Sequence, residues 1–318
     1  MDGTRRLCHP RTCGTPPIQF APESHTLDTA TRQQATIAST VSVSGFGFWS
    51  GQDVTIDFHP ADSDSGITFV RVDLPDQPRI SAEVRHRIQG PRRTTLVDNG
   101  CAVEMVEHVL AALAGLQIDN CEVHVNRAEM PGCDGSSLAF TKALKSAGLV
   151  AQTANPKQIT VTQPIRVGDD QSWIEARPNS DGQYRLTFDL DYPAEPAIGS
   201  QTYTYELSQD SFETEIAPAR TFVLAAEAEA LRSKGLGRRV TEQDVLVFDH
   251  AGPINNTLRF PNECARHKAL DMIGDFSLAG ADLVGDFVAS RSGHLLNSQM
   301  VFALLSQATS TQIHRRSA

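Results

Sequence analysis

VEHVLAALAGLQIDNCEVHVNRAEMPGCDGSSLAFTKALKSAG, residues 106–148, holds the pattern from which the fold can be read. Val106, Val109, Leu110 and Leu113 recur at helical spacing, which predicts a helix over Glu104–Leu116 with Gly115 near its end. Cys121, Val123 and Val125 then alternate as in a strand. The turn-rich PGCDGSS at 131–137 leads into a second predicted helix near Ser137–Ala147. Residues 263–305, ECARHKALDMIGDFSLAGADLVGDFVASRSGHLLNSQMVFALL, repeat that order. A helix begins near Glu263, with Asn262 placed as its N-cap, and ends at Ala279-Gly280. Leu283–Ala289 reads as a strand, 291–294 as a tight loop carrying His294, and Leu295–Leu305 as a last helix.

Strand signals precede both copies. In the first half they begin at Val41, where Val54, Ile56 and Phe58 alternate with polar residues and Ile67–Val72 repeats the habit. In the second they fall at Gln158–Val167, Trp173–Arg177 and Tyr184–Asp191. Strands, helix, strand, glycine-bearing loop and helix thus occur twice, which predicts an α+β fold made of two similar domains, each a β-sheet layered with α-helices. The boundaries expected are a flexible extension over 1–34, a first domain over 35–155 and a second over 156–318, joined in the polar stretch Gln152–Lys157. Cys8, His9 and Cys13 lie within the extension, a grouping that could clip a metal but that a tail more often carries by chance.

Composition narrows the function. The 318 residues suit two domains, and 40% apolar with 21% charged residues is ordinary for a soluble globular protein. Lys plus Arg number 28 against 38 Asp plus Glu, a net charge of -10, which argues against a nucleic-acid partner but leaves room for an anionic small molecule. No apolar run reaches the roughly 18–20 residues of a membrane span. No apolar stretch follows the basic residues of the N-terminus, so no secretory signal is expected. The 6 cysteines show no framework spacing, which favours reduced thiols in a cytoplasmic protein.

The densest polar cluster is RHKALDMIGD at 266–275. His267, Asp271 and Asp275 follow at four-residue steps and share one helical stripe. His267 and Asp271, one turn apart, can reach a single metal ion. The same spacing also suits a solvated acidic face with a helix-stabilising pair. In the first half Glu107 and His108 are helix neighbours pointing about 100° apart, so both cannot be head-on ligands of one ion. That favours His108 as ligand with Glu107 beside the bound water as base, although a buried Glu–His pair is often structural. His108, His267 and Asp271 would leave a fourth coordination position open, as in catalytic sites. Asp275 could then hold an imidazole, and His294, exposed on the 292–294 loop, is the natural candidate for an oxyanion-stabilising or amine-protonating cation, although by itself it reads rather as a loop histidine at a helix N-terminus.

In SGFGFWSG at 44–51, VEHVLAALAGLQIDN at 106–120, EMPGCDGSS at 129–137, ARTF at 219–222, RHKALDMIGD at 266–275 and SGH at 292–294, the chain resembles the zinc-dependent UDP-3-O-acyl-N-acetylglucosamine deacetylases. The likeness runs in order over about Val41–Leu305. It implies hydrolysis of the N-acetyl group of an acylated UDP-sugar, releasing acetate, the committed step of lipid A synthesis. It implies Zn2+, with Fe2+ as the alternative, held by His108, His267 and Asp271 at a site between the domains. Glu107 is then the general base, His294 the cationic acid with Asp275 orienting it, and Thr221 a holder of the oxyanion. Lys268 and Phe222 are expected to contact substrate, the latter within an insert near 221–248 that forms an apolar passage for the acyl chain. Trp49 and the stretch 237–241 depart from the family pattern. The expected partner is the small-molecule substrate alone, with a monomeric protein making at most peripheral membrane contact. Two other readings remain: a zinc hydrolase of another acylated sugar, and a silent relative that binds a sugar nucleotide or adaptor.

Overall fold

A computed structural model describes residues 32–195 and 197–316. The extension up to residue 31, with Cys8, His9 and Cys13, lies outside the described residues. The described residues form one compact unit. Its helices are α1 (Glu107–Gly115), α2 (Leu138–Ala147), α3 (Gln209–Glu215), α4 (Ala225–Ser233), α5 (Glu263–Phe276) and α6 (His294–Arg316).

Alternating burial at Val54, Ile56 and Phe58 places one face of Asp53–Pro60 on the core, as the pattern requires. The first sheet runs in the order Val41–Phe46, Asp53–Pro60, Cys121–Val125, Ile67–Arg71, Arg79–Ser81. Its pairings are antiparallel except that between Cys121–Val125 and Ile67–Arg71. The second sheet follows the same plan: Ile165–Gly168, Trp173–Arg177, Asp282–Ser290, Tyr184–Tyr192, Gly199–Glu206. Again only the central strand and its neighbour Tyr184–Tyr192 run parallel among these five. In both sheets the central strand enters last, after α1 or α5. The fold is therefore α+β and duplicated at the level of strand order.

The helices of the two halves face each other. α1 is buried at nearly every position, and α1 against α5 is the most extensive helix–helix contact. Gly274 explains the close approach: a Cβ there would lie 2.0 Å from the Glu107 carbonyl oxygen. Each large apolar side chain buried in this layer contributes about 1.5–3 kcal/mol.

Four local expectations need correction. Helix α1 starts at Glu107, not Glu104, because Cys101–Glu104 is claimed by a hairpin with Thr95–Asp98 and Met105 turns the chain with φ 60°. Asn262 occupies the N-cap position without capping; its side-chain oxygen accepts from Arg266 Nε at 2.8 Å instead. His294 is the first residue of α6 and largely buried, rather than exposed on a loop. Residues 32–34 belong to the folded body: Gln34 is buried, and Arg32 donates to Asp119 at 2.7 and 2.8 Å and to Asp282 at 2.6 and 2.9 Å.

Candidate metal centre and active site

α1 and α5 bring His108, His267 and Asp271 together, all buried. Their donor atoms lie within 4.8 Å of one another, as a metal ion requires. Nε2 of His108 is 3.5 Å and Nε2 of His267 is 3.4 Å from the same Asp271 oxygen. The His267 Nδ1–H donates to the Ala219 carbonyl at 3.2 Å, which leaves the Nε2 lone pair free for the ion. Burial drives His267 down to about 4, Asp271 opposing, so the ring is neutral and able to ligate. Asp271 stays well below the usual carboxylate range: burial opposes its charge, but the Lys268 ammonium and the hydrogen bond from His108 are among the contacts that outweigh it. Lys268 Nζ donates to the other Asp271 oxygen at 2.6 Å. Burial opposes the lysine's charge too, and Asp271 more than restores it. Two imidazoles and one anionic carboxylate are a donor set that fits a divalent cation.

Beside this cluster stand the groups that can move protons. One Glu107 carboxylate oxygen accepts from the Thr94 backbone N–H at 3.0 Å, and the other is 3.8 Å from His294 Nε2. Burial pushes Glu107 above the usual carboxylate range, against the pull of His294 and His108. His294 donates from Nδ1 to Asp275 at 2.7 Å. Burial disfavours its charge, yet Asp275 prevails and raises His294 to about 9. A raised carboxylate next to a stabilised imidazolium is the pairing that general acid–base work requires.

The stripe His267, Asp271, Asp275 on α5 is thus buried and divided in use, its first two members on the donor cluster and the third on His294. A solvated acidic face is excluded. Two neighbours escaped the sequence reading. Thr94, fully buried, donates its hydroxyl to Asp275 Oδ1 at 2.5 Å, and Asn297 Nδ2 donates to Oδ2 at 2.8 Å. Asn297 stands three residues after His294 at the start of α6, a spacing that could have marked it. Thr94 carried no such signal.

A cavity of about 660 Å³ opens over the cluster, lined by Glu107, His108, His267, Lys268, Asp271, His294 and Thr221. The Thr221 hydroxyl donates to the Gly135 carbonyl at 3.0 Å. Phe222 stands edge-on to His267 with ring centroids 6.3 Å apart. From there Leu224, Leu231, Leu236, Val240 and Val247 build an apolar wall, all from the insert near 221–248. Trp49 closes part of the rim, with the Arg93 guanidinium 4.6 Å over its ring.

Residues 34–306 match the family model described as UDP-3-O-acyl N-acetylglycosamine deacetylase. The chain is 37% identical over 276 residues to the UDP-3-O-acyl-N-acetylglucosamine deacetylase of Geotalea uraniireducens (strain Rf4), covering 86% of this chain and 89% of that protein. It is likewise 37% identical over 287 residues to that of Anaeromyxobacter dehalogenans (strain 2CP-C), covering 90% and 92%. For that of Trichormus variabilis the identity is 37% over 278 residues, covering 86% and 98%.

Proposed function

Because the chain belongs to the UDP-3-O-acyl N-acetylglycosamine deacetylase family, we propose that it hydrolyses the N-acetyl group of UDP-3-O-acyl-N-acetylglucosamine in lipid A biosynthesis, releasing acetate. The observation that carries this reading is one cavity holding a buried His–His–Asp donor set with Glu107 and His294 3.8 Å apart beside it.

His108, His267 and Asp271 would hold the metal, which we take to be zinc. Bound there, zinc supplies a Lewis acid and lowers the pKa of a water toward about 7. Glu107 accepts the proton of the attacking water, its carboxylate fixed by the Thr94 N–H. His294, kept charged by Asp275, protonates the leaving amine. Thr221 turns its hydroxyl from the Gly135 carbonyl to the developing oxyanion. Lys268, anchored on Asp271 at the cavity wall, contacts the sugar nucleotide, and Phe222 begins the apolar passage for the acyl chain.

The same reading takes 35–155 and 156–318 as the two domains, with the site between them. It takes the protein as a cytoplasmic monomer; the free, buried thiols Cys101, Cys121 and Cys264 support the compartment. Among the described residues no helix is long and apolar enough to cross a membrane.

The test is acetate release from UDP-3-O-acyl-N-acetylglucosamine by metal-stripped protein before and after one equivalent of zinc. Turnover that returns with zinc supports both substrate and metal. Zinc binding without turnover moves the substrate to another acylated sugar, and no zinc binding overturns the ligand set.

A further inference from the structure

We propose that Thr94 is the positioning residue that holds the proton acceptor Glu107 and the proton donor His294 in register. The inference rests on the deacetylase reading above for those two roles. Thr94 is fully buried and does not line the cavity, so it acts through its neighbours. Its backbone N–H donates to Glu107 Oε2 at 3.0 Å. Its hydroxyl donates to Asp275 Oδ1 at 2.5 Å. A hydroxyl has one proton to give, so the His294 Nδ1–H is left to bind the other Asp275 oxygen, at 2.7 Å. That holds the ring by its Nδ1–H and turns the Nε2 side of the imidazolium toward Glu107, 3.8 Å away. Asn297 completes the carboxylate from α6. One residue of the first half therefore fixes the base on α1 and, through Asp275 on α5, the acid on α6.

Thr94→Val separates the two links, because it keeps the N–H and removes only the hydroxyl. Asp275 Oδ1 then loses its donor in a buried setting, and the imidazole loses its fixed pose. In the metal-loaded enzyme kcat is expected to fall about 10- to 100-fold with KM nearly unchanged. The downfield proton signal of His294 Nδ1–H, read by NMR without substrate, is expected to broaden or vanish. Thr94→Ser, which restores the hydroxyl, is expected to recover most of kcat and the signal, whereas Thr94→Ala is not. Wild-type kcat and an unshifted imidazole signal in Thr94→Val would overturn the proposal. So would Thr94→Ser as slow as Thr94→Ala, since the side chain would then matter only for packing. This pair decides the question even if the valine variant does not fold. A wild-type enzyme that releases no acetate would sink the deacetylase reading, while the imidazole signal would still decide the positioning.

Discussion

Burial alone would strip His294 of its proton, and Asp275 at 2.7 Å reverses that, raising the imidazolium to about 9. The charged donor therefore persists through neutral pH, and the rate should fall as pH rises past about 9. Because the folded value exceeds the ordinary 6.5, the stability this group contributes is complete below about 6.5 and is lost as pH climbs to 9. Asp275→Asn removes the raising charge and leaves burial, so the basic limb of the kcat profile should move to lower pH. A basic limb still near 9 in that variant would assign it to another group. On the acid side, Glu107→Gln should cut kcat by about 10²- to 10⁴-fold with little change in KM, measured as acetate release. Near-full turnover would remove Glu107 as base. Asp275 and Glu107 were legible in the four-residue steps of RHKALDMIGD and in the Glu107-His108 pair, although each pattern also suited a structural reading until burial decided it. Thr94 was not, because its bonds to Glu107 and Asp275 join segments that no periodicity connects.

Where α1 crosses α5 the helices rely on an absent side chain. A Cβ on Gly274 would sit 2.0 Å from the Glu107 carbonyl oxygen and 3.2 Å from the Ala111 backbone nitrogen, atoms that cannot swing aside. Gly274→Ala should therefore push the helices apart, costing about 1–3 kcal/mol in chemical denaturation and most of the turnover. An unchanged midpoint would mean that the crossing tolerates a methyl group. The insert wall depends on a different device. Arg239 donates to the Gly51 carbonyl and to Asp53, both at 2.7 Å, and lies 4.3 Å over the Phe46 ring. This clasp ties the 237–241 stretch to the turn after Val41–Phe46. Arg239→Ala should loosen the wall and flatten the kcat/KM preference across a ladder of acyl lengths by several-fold, since one methylene is worth about 1–3 kcal/mol in an apolar pocket. An unchanged preference would place length selection elsewhere. Periodicity located these elements well but not their ends: Glu104 fits the helical pattern of α1, and only the hairpin with Thr95–Asp98 removes it.

At the scale of the whole molecule, the duplication was visible in the order of elements, whereas the shared strand order was not. Hydrophobic alternation shows that Cys121–Val125 and Asp282–Ser290 are strands, but it does not say that each will enter the middle of its sheet parallel to one neighbour. The match between the two sheets turns α1 and α5 into equivalent helices, and the candidate metal donors are shared between them. His108 comes from one half, His267 and Asp271 from the other, so a bound ion ties the halves together. Arg32 does the same at another point, between Asp119 and Asp282. Removing the ion should then cost stability as well as turnover. At a free zinc concentration 100 times Kd the ion stabilises the fold by about 2.7 kcal/mol. With an unfolding entropy of about 2.1 cal/mol/K per residue, a chain of 318 residues shifts by roughly 1.5 °C per kcal/mol, so stripping should lower Tm by about 4 °C. Calorimetry with and without chelator would show this, and one equivalent of zinc should restore Tm and acetate release together. Turnover lost on stripping with Tm unchanged would mean that the catalytic ion does not bridge α1 and α5, and the ligand set would have to be sought within one half.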